Sequence, residues 1–160
     1  MNIVLLLISL LYPQEPRLVV TSPDFEHEGE IPSKFTCDGK DINPTLEIAE
    51  IPKGTKSIVV LMQDPDGRSA SMTYWVLWNL KPTGLIEEGT TGGVRGLNSI
   101  GKSNYLGPCP LAGTHRYFFK VYALDDMLNI PEDSDQWAVQ EAMKNHTLAS
   151  GEIMGWYRKK

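Results

Sequence analysis

Apolar side chains fall into short stretches along the chain, each bounded by polar or turn-forming residues. Residues 58–62 form a continuous, largely β-branched run, which is the pattern of a strand buried on both faces. Large apolar side chains also occupy both alternating sets of positions in 117–122, so that segment carries apolar surface on two faces. Glycines and prolines, 14 and 11 in number, are scattered between the stretches and favour turns there. The pattern predicts strands at 18–21, 34–37, 46–48, 57–62, 73–80 and 116–124.

Helical patterning is confined to the C-terminal part of the chain. Asp133 and Gln136 have the spacing of a capping box and predict a helix that runs to about Asn145. A second segment, 146–157, has apolar residues at helical spacing, and the basic run 158–160 suits the C-terminal end of a helix. Strands first and helices last indicate a β-rich sandwich with a small helical appendage, rather than an alternating α/β sheet.

The composition indicates one globular domain. The 160 residues are 41% hydrophobic and 22% charged, which is enough apolar material for a core. Acidic residues outnumber basic ones by 20 to 15, and the net charge of -5 argues against nucleic acid as a partner. Two cysteines are too few for a four-ligand zinc site or a disulfide framework.

The N-terminus departs from this composition, since residues 3–11 are apolar except for Ser9. The run is too short to span a bilayer, which needs about 18 residues or more. It has the length of the apolar part of a signal peptide, although no Lys or Arg precedes it and no Ala-x-Ala site follows it. The turn-forming residues 13–16 favour export over a cytoplasmic location, and an ordered element packed on the domain or in a dimer contact is the alternative. We therefore divide the chain into 1–16, a signal peptide or extension, and a single domain at 17–160.

Residues 96–103 match the phosphate-binding pattern GxxxxGKS, but their surroundings contradict that function. A P-loop follows a buried strand and opens a helix whose N-terminal amides hold phosphate. Here the polar, glycine-rich residues 87–95 come before the match, and Pro108 and Pro110 follow soon after it and exclude a helix. We reject a nucleotide site and expect no cofactor.

Other candidate chemistry lies in the Asp-Pro-Asp segment 64–66 and at His115. Paired carboxylates at a strand end can bind a metal, act as acid and base, or shape a turn, and the turn is the interpretation that Asp and Pro favour. His115 follows a proline-stiffened loop with glycines on either side, where a ligand can approach closely. Cys37 and Cys109 can pair if the chain is exported. Cys109 lies six residues before His115, but no third residue completes a nucleophilic arrangement.

Several of these segments together resemble the phosphatidylethanolamine-binding protein family, in particular its prokaryotic Raf kinase inhibitor-like branch. The resemblance runs from about Leu18 to Tyr157, and the segments keep the family's order and spacing. They are FTCDG at 35–39 with NP at 43–44, DPD at 64–66, YWVLWNL at 74–80, GPCP at 107–110, HRY at 115–117 with YALD at 122–125, and LASGE at 148–152. The resemblance implies a Greek-key sandwich of two antiparallel sheets, so we expect a mainly β fold of that kind with short C-terminal helices.

The family has an anion pocket at one end of the sandwich. The resemblance implies ligand-binding roles for Asp64, Asp66, Tyr74, Gly107, Pro108, His115 and Tyr117. A carboxylate beside an imidazole favours the protonated ring, which can donate to a phosphate-like anion, and backbone N–H groups of the Gly-Pro loop are further expected donors. Tyr74 stands where the family usually has His and carries no positive charge. Arg68 stands close to where DPD usually continues with Pro, and it is either a bidentate phosphate ligand or a solvated side chain.

These observations predict a non-enzymatic binding protein with a small pocket for a phosphate or phospholipid-headgroup-like anion. The resemblance adds inhibition of a kinase or a protease. One alternative is a hydrolase or lyase that uses Asp64, Asp66 and His115, although no nucleophile with an adjacent base and no metal trio is visible in the sequence. Another is an inhibitor whose pocket is vestigial. A homodimer, through a sheet edge or the apolar N-terminus, stays open.

Overall fold

The computed structural model describes residues 16–67 and 71–159. The predicted leader, apart from Pro16, and the predicted role of Arg68 lie outside these ranges. Within them the chain forms nine strands, one short 3-10 helix and one α-helix. The strands are β1 Val19–Thr21, β2 Gly29–Glu30, β3 Leu46–Ala49, β4 Ser57–Asp64, β5 Met72–Leu80, β6 Leu85–Ile86, β7 Val94–Arg95, β8 Thr114–Leu124 and β9 Thr147–Arg158. The 3-10 helix is Ser33–Phe35, and the helix α1 is Gln136–Ala142.

The strands form two sheets, which confirms the mainly β, two-sheet fold. The larger sheet has the order β2-β9-β8-β4-β5-β7 and the smaller one the order β1-β3-β6. Neighbouring strands are antiparallel except for β2 and β9, which are parallel. None of the helices in the described part of the chain is both long and apolar enough to cross a membrane.

The centre of the larger sheet is buried on both faces, as the continuous apolar run of β4 predicts. Val60 and Met62 belong to the core between the two sheets. Val59 and Leu61 point to the opposite face, where they pack with Val139 of α1 and others. The sequence pattern therefore positions β4 between two apolar layers.

Three expectations from the sequence are wrong. Residues 34–37 lie in the 3-10 helix and the turn after it, not in a strand. The helix begins after Asp135, not Asp133, because the Asp135 carboxylate accepts the first free backbone N–H groups, those of residues 137 and 138, at 3.0 Å. The C-terminal segment 146–157 is the strand β9 and not a second helix.

The helix prediction for β9 rests on Ala149, Ile153 and Trp156, which would share one face of a helix. In the strand, Ala149 and Ile153 share the buried face with Tyr157, and Trp156 lies on the opposite face because it is an odd number of residues from Ile153. Gly155 allows a neighbouring loop to cross the buried face closely, since a Cβ there would lie 2.6 Å from Ile31 Cγ1. Such a glycine favours the strand over a helix interior.

Candidate functional site

Asp64 and His115 meet because the end of β4 lies beside the start of β8. Gln63 pairs with Phe118 in the antiparallel register, so the next residue of β4 reaches the first residues of β8. Oδ2 of Asp64 lies 2.8 Å from Nδ1 of His115, and the two side chains are 1% and 18% exposed. A carboxylate only accepts hydrogen bonds, so Nδ1 carries the proton and Nε2 is the ring nitrogen left for a ligand.

Two further groups hold the Asp64 carboxylate. The backbone N–H of Asp66 donates to its Oδ1 at 2.8 Å, which closes the turn at the Asp-Pro-Asp segment. The hydroxyl of Tyr74, on β5, donates to Oδ2 at 3.4 Å. Burial and the nearby Asp64 charge raise the pKa of Tyr74 to about 12. Tyr74 therefore stays protonated and contributes a donor but no charge.

Tyr117 lies directly behind Tyr74. The two rings meet edge to face with centroids 5.3 Å apart, and Tyr117 is fully buried. Its hydroxyl lies near the Tyr74 hydroxyl and the Cys109 backbone, yet it makes no hydrogen bond of acceptable geometry within the described part of the chain. Burial raises the pKa of Tyr117. The structure thus brings Asp64, Tyr74, His115 and Tyr117 together.

Asp66 faces away from this group and binds Arg116. The Arg116 side chain donates Nε to Oδ2 at 3.0 Å and a terminal nitrogen to Oδ1 at 2.8 Å, and its backbone N–H donates to Oδ2 at 2.9 Å. These bonds outweigh partial burial and lower the pKa of Asp66 to about 2. No local sequence pattern marks Arg116 as a partner of Asp66, because only the register of β4 and β8 brings the two together.

Gly107 and Pro108 hold a loop in place behind the site. The N–H of Gly107 donates to Oδ1 of Asp41 at 2.6 Å, and the carbonyl of Pro108 accepts the N–H of Cys37 at 3.2 Å. A Cβ at 107 would lie 2.7 Å from the carbonyl oxygen of Phe35, so this close approach requires glycine. A disulfide joins Cys37 to Cys109. The loop is therefore attached to residues 35–41. The backbone N–H of Gly107 already donates to Asp41 and is not free to bind a ligand.

A pocket of about 410 Å³ opens beside the Asp64–His115 pair. Its described lining is Asp64, Gly67, Met72, Tyr74, Leu106, Cys109, Pro110, Leu111, Ala112 and His115. Asp66, Gly107, Pro108 and Tyr117 are absent from that lining, so their predicted contact with a ligand stays a prediction. The apolar wall at 109–112 was missed, although an apolar Pro-Leu-Ala run in a turn-rich loop is the signal that marks it.

The pocket combines apolar walls with few polar groups. Asp64 and His115 are the two groups in its described lining that can carry charge near neutral pH. A larger and more open cleft of about 610 Å³ lies at Glu30, Trp156 and Arg158. We favour the smaller pocket as the functional site because buried polar groups converge on it, which is typical of small-molecule sites.

Among the described residues there is neither a metal centre nor a nucleotide-binding loop. The described residues contain no group of three or more His, Cys, Asp or Glu side chains placed to hold a metal ion. Residues 96–103 form turns and an isolated bridge, and no helix follows them at 104–113. Phosphate-binding amides of the P-loop kind are therefore not found at that motif.

The chain is similar to known proteins in sequence and in overall fold. The sequence profile described as phosphatidylethanolamine-binding protein matches residues 21–158. A UPF0098 protein of Methanothermobacter thermautotrophicus is 41% identical over 143 residues, which cover 84% of this chain and 95% of the relative. A UPF0098 protein of Archaeoglobus fulgidus is 40% identical over 143 residues, which cover 84% of this chain. This chain spans only about half (49%) of the length of that relative. The crystal structure of CT736 from Chlamydia trachomatis, a putative phosphatidylethanolamine-binding protein homolog, matches this chain with a TM-score of 0.87 at 35% sequence identity. The match covers 91% of this chain and 99% of the CT736 chain.

Proposed function

The chain belongs to the phosphatidylethanolamine-binding protein family, and from that premise we propose that it is a binding protein whose pocket receives a small phosphate-like anion at the His115 ring. The observation that supports this most strongly is the buried Asp64 carboxylate, 2.8 Å from Nδ1 of that ring, in the lining of a pocket. The carboxylate stabilises the protonated ring, and Nε2 then donates to the anion.

The charge of the pocket suits a singly negative ligand. A protonated His115 and an ionised Asp64 cancel, so the ring attracts an anion over short distances without a large net field. Beside this pair lie Met72, Leu106 and Leu111, whose apolar side chains suit the carbon part of a phosphate ester. A free phosphate ester and a phospholipid headgroup share this chemistry.

In this proposal the protein acts by binding and not by turnover. The described lining offers no Ser, Thr or Lys, and its one cysteine is held in a disulfide. The Asp64 carboxylate is already hydrogen-bonded to His115, Tyr74 and the Asp66 N–H, so we assign no nucleophile beside His115. A regulatory role that inhibits a kinase or a protease rests on the family likeness alone. We include it as the expected use of the pocket.

The test is a titration of labelled protein with inorganic phosphate and with O-phosphoethanolamine, followed through the histidine ring signals by NMR. We expect the His115 signals to shift saturably at millimolar ligand, and His115→Gln to lose binding when both proteins are compared by isothermal titration calorimetry. His146 is a matched control because its Nδ1 lies 2.8 Å from Asp125, outside the pocket lining. His146→Gln is expected to bind as the wild type does.

The titration also separates the alternatives. Absence of a saturable shift at His115 would overturn the anion pocket and favour an inhibitor with a vestigial pocket. Turnover of a generic phosphate or carboxylate ester that disappears in His115→Gln would overturn the non-enzymatic proposal and favour a hydrolase.

A further inference from the structure

One wall of the pocket is a short apolar segment with few attachments. Residues 109–112 line the pocket in succession. Residues 110–113 make no hydrogen bond to the described part of the chain, and β8 begins only at Thr114. Leu111, in the middle of this wall, is 87% exposed. Pro110 is buried, but Leu111 and Ala112 are exposed, so little packing holds the second half of this segment.

The chain just before this wall is fastened at several points. Gly107 and Pro108 bond to Asp41 and to the backbone of Cys37. The disulfide joins Cys109, the first residue of the wall, to Cys37. After Cys109, none of the wall residues that the structure describes is bonded to residues 35–41. Cys37 is exposed and Cys109 is partly buried. The anchor of the wall is thus open to thiols in solution.

We propose that the Cys37–Cys109 disulfide positions the apolar wall at 109–112, and that its reduction weakens ligand binding in the pocket. The inference rests on the proposed function, since it concerns the same pocket. Cys37 and Cys109 are positioning residues here, because they act through the wall that Cys109 begins.

The reductant is a dithiol. One of its thiolates attacks Sγ of the exposed Cys37, the sulfur–sulfur bond breaks, and Cys109 leaves as a thiolate that takes up a proton. The second thiol of the reductant then displaces Cys37, which also becomes a protonated thiol. Two electrons have moved to the protein, and the reductant ends as its own disulfide. With the anchor gone, a ligand has to order the wall at 109–112 when it binds, and this lowers its affinity.

The experiment compares oxidised protein, protein reduced with dithiothreitol, and the double variant Cys37→Ala/Cys109→Ala with and without dithiothreitol. One readout needs no ligand: ¹⁵N order parameters at Leu111, Ala112 and Gly113, with Val60 and Val121 as references in the sheet. The other is the affinity for dimethyl phosphate, from the His115 ring signals. We expect the wall's order parameters to fall from about 0.85 to below about 0.6 on reduction, with affinity about tenfold weaker. The references stay rigid, and the double variant matches reduced protein under both conditions.

The two readouts distinguish this inference from the proposed function. If oxidised protein binds and reduction leaves either the wall's order parameters or the affinity unchanged, the inference is overturned and the proposed function stands. If oxidised protein does not bind, the proposed function fails and with it the effect on affinity, while a fall in the order parameters still supports anchoring of the wall by the disulfide. A dithiothreitol effect on the double variant would also overturn the inference, because no disulfide remains there to reduce.

Discussion

Nδ1 of His115 lies 2.8 Å from Oδ2 of Asp64, a carboxylate that is almost fully buried. Under the proposed function, this pair is how a chain with a net charge of -5 would bind an anion. In that proposal the buried carboxylate is hydrogen-bonded to the ring, and Nε2 of the ring donates to the ligand.

Tyr74 contributes a hydroxyl to the pocket but no charge. Replacing it with histidine, Tyr74→His, would put a second imidazole beside the buried Asp64 carboxylate, in reach of the same oxygen that the tyrosine hydroxyl meets at 3.4 Å. At mildly acidic pH we expect inorganic phosphate to bind about fivefold more tightly, because a second positive charge acts on it. Isothermal titration calorimetry measures the change.

Tyr74→Phe is the matched control, since it removes the hydroxyl and adds no charge. Its affinity is expected to stay within about twofold of the wild type, one hydrogen bond to a carboxylate being lost. Equal affinities for the His and Phe variants would show that charge at position 74 does not govern binding.

Asp66 is expected to stabilise the fold rather than to bind the ligand. Arg116 lowers the pKa of Asp66 from its ordinary 3.8 to about 2. A carboxyl whose pKa is lower in the folded protein stabilises it at pH values above its unfolded pKa, and this contribution is lost as the pH falls through the folded pKa. Asp66→Asn should therefore unfold at a lower temperature than the wild type at pH 5 to 7, a difference that vanishes between about pH 4 and about pH 2.

Thermal unfolding of both proteins from pH 7 down to pH 2 measures this difference. A gap that stays constant over the whole range would mean that the ion pair with Arg116 is not its cause. At neutral pH Asp66→Asn should bind phosphate like the wild type, because Asp66 is outside the described pocket lining. A large loss of affinity would instead place Asp66 in the binding site, as the family resemblance implies.

Gly107 is required by the close packing of its loop on residues 35–41. In Gly107→Ala the new Cβ would lie 2.7 Å from the carbonyl oxygen of Phe35 and 2.8 Å from Cα of Thr36, and both are backbone atoms that cannot turn away. We expect the free energy of unfolding to fall by about 2 kcal/mol, as for other overpacked positions. Urea unfolding gives the value.

Gly92→Ala is the control for this substitution. The nearest atoms to a Cβ at 92 are side-chain atoms, the closest at 3.5 Å, which is an ordinary contact. Its stability should change by no more than about 0.5 kcal/mol. If the two variants were equally stable, the tight fit at 107 would not be a determinant of the fold.

The strands that carry the site could be predicted from the sequence, and the strand at the end could not. β4, β5 and β8 lie within two residues of their predicted bounds because long apolar runs buried on two faces have few other interpretations. The sequence predicts a helix at β9 because the spacing of Ala149, Ile153 and Trp156 matches the helical period. What decides for the strand is pairing with β8 over its whole length, a long-range contact that no local pattern contains.

The same limit applies to the site. Asp64, Tyr74 and His115 were found through motifs that each lie within a few residues of sequence. Asp66 and Arg116 are 50 residues apart, and only the register of β4 and β8 brings them together. The apolar wall at 109–112 depends on a disulfide between residues 72 positions apart. A sequence with two cysteines left that pairing open.

The most direct test of the central claim is the pH dependence of binding by dimethyl phosphate, whose charge stays at one negative unit throughout. If the protonated His115 ring is the main donor, the affinity of the wild type falls about tenfold or more as the pH rises from about 5.5 to about 8. His115→Gln binds weakly and equally at every pH. An affinity of the wild-type protein that is the same at both ends of this range would contradict the account.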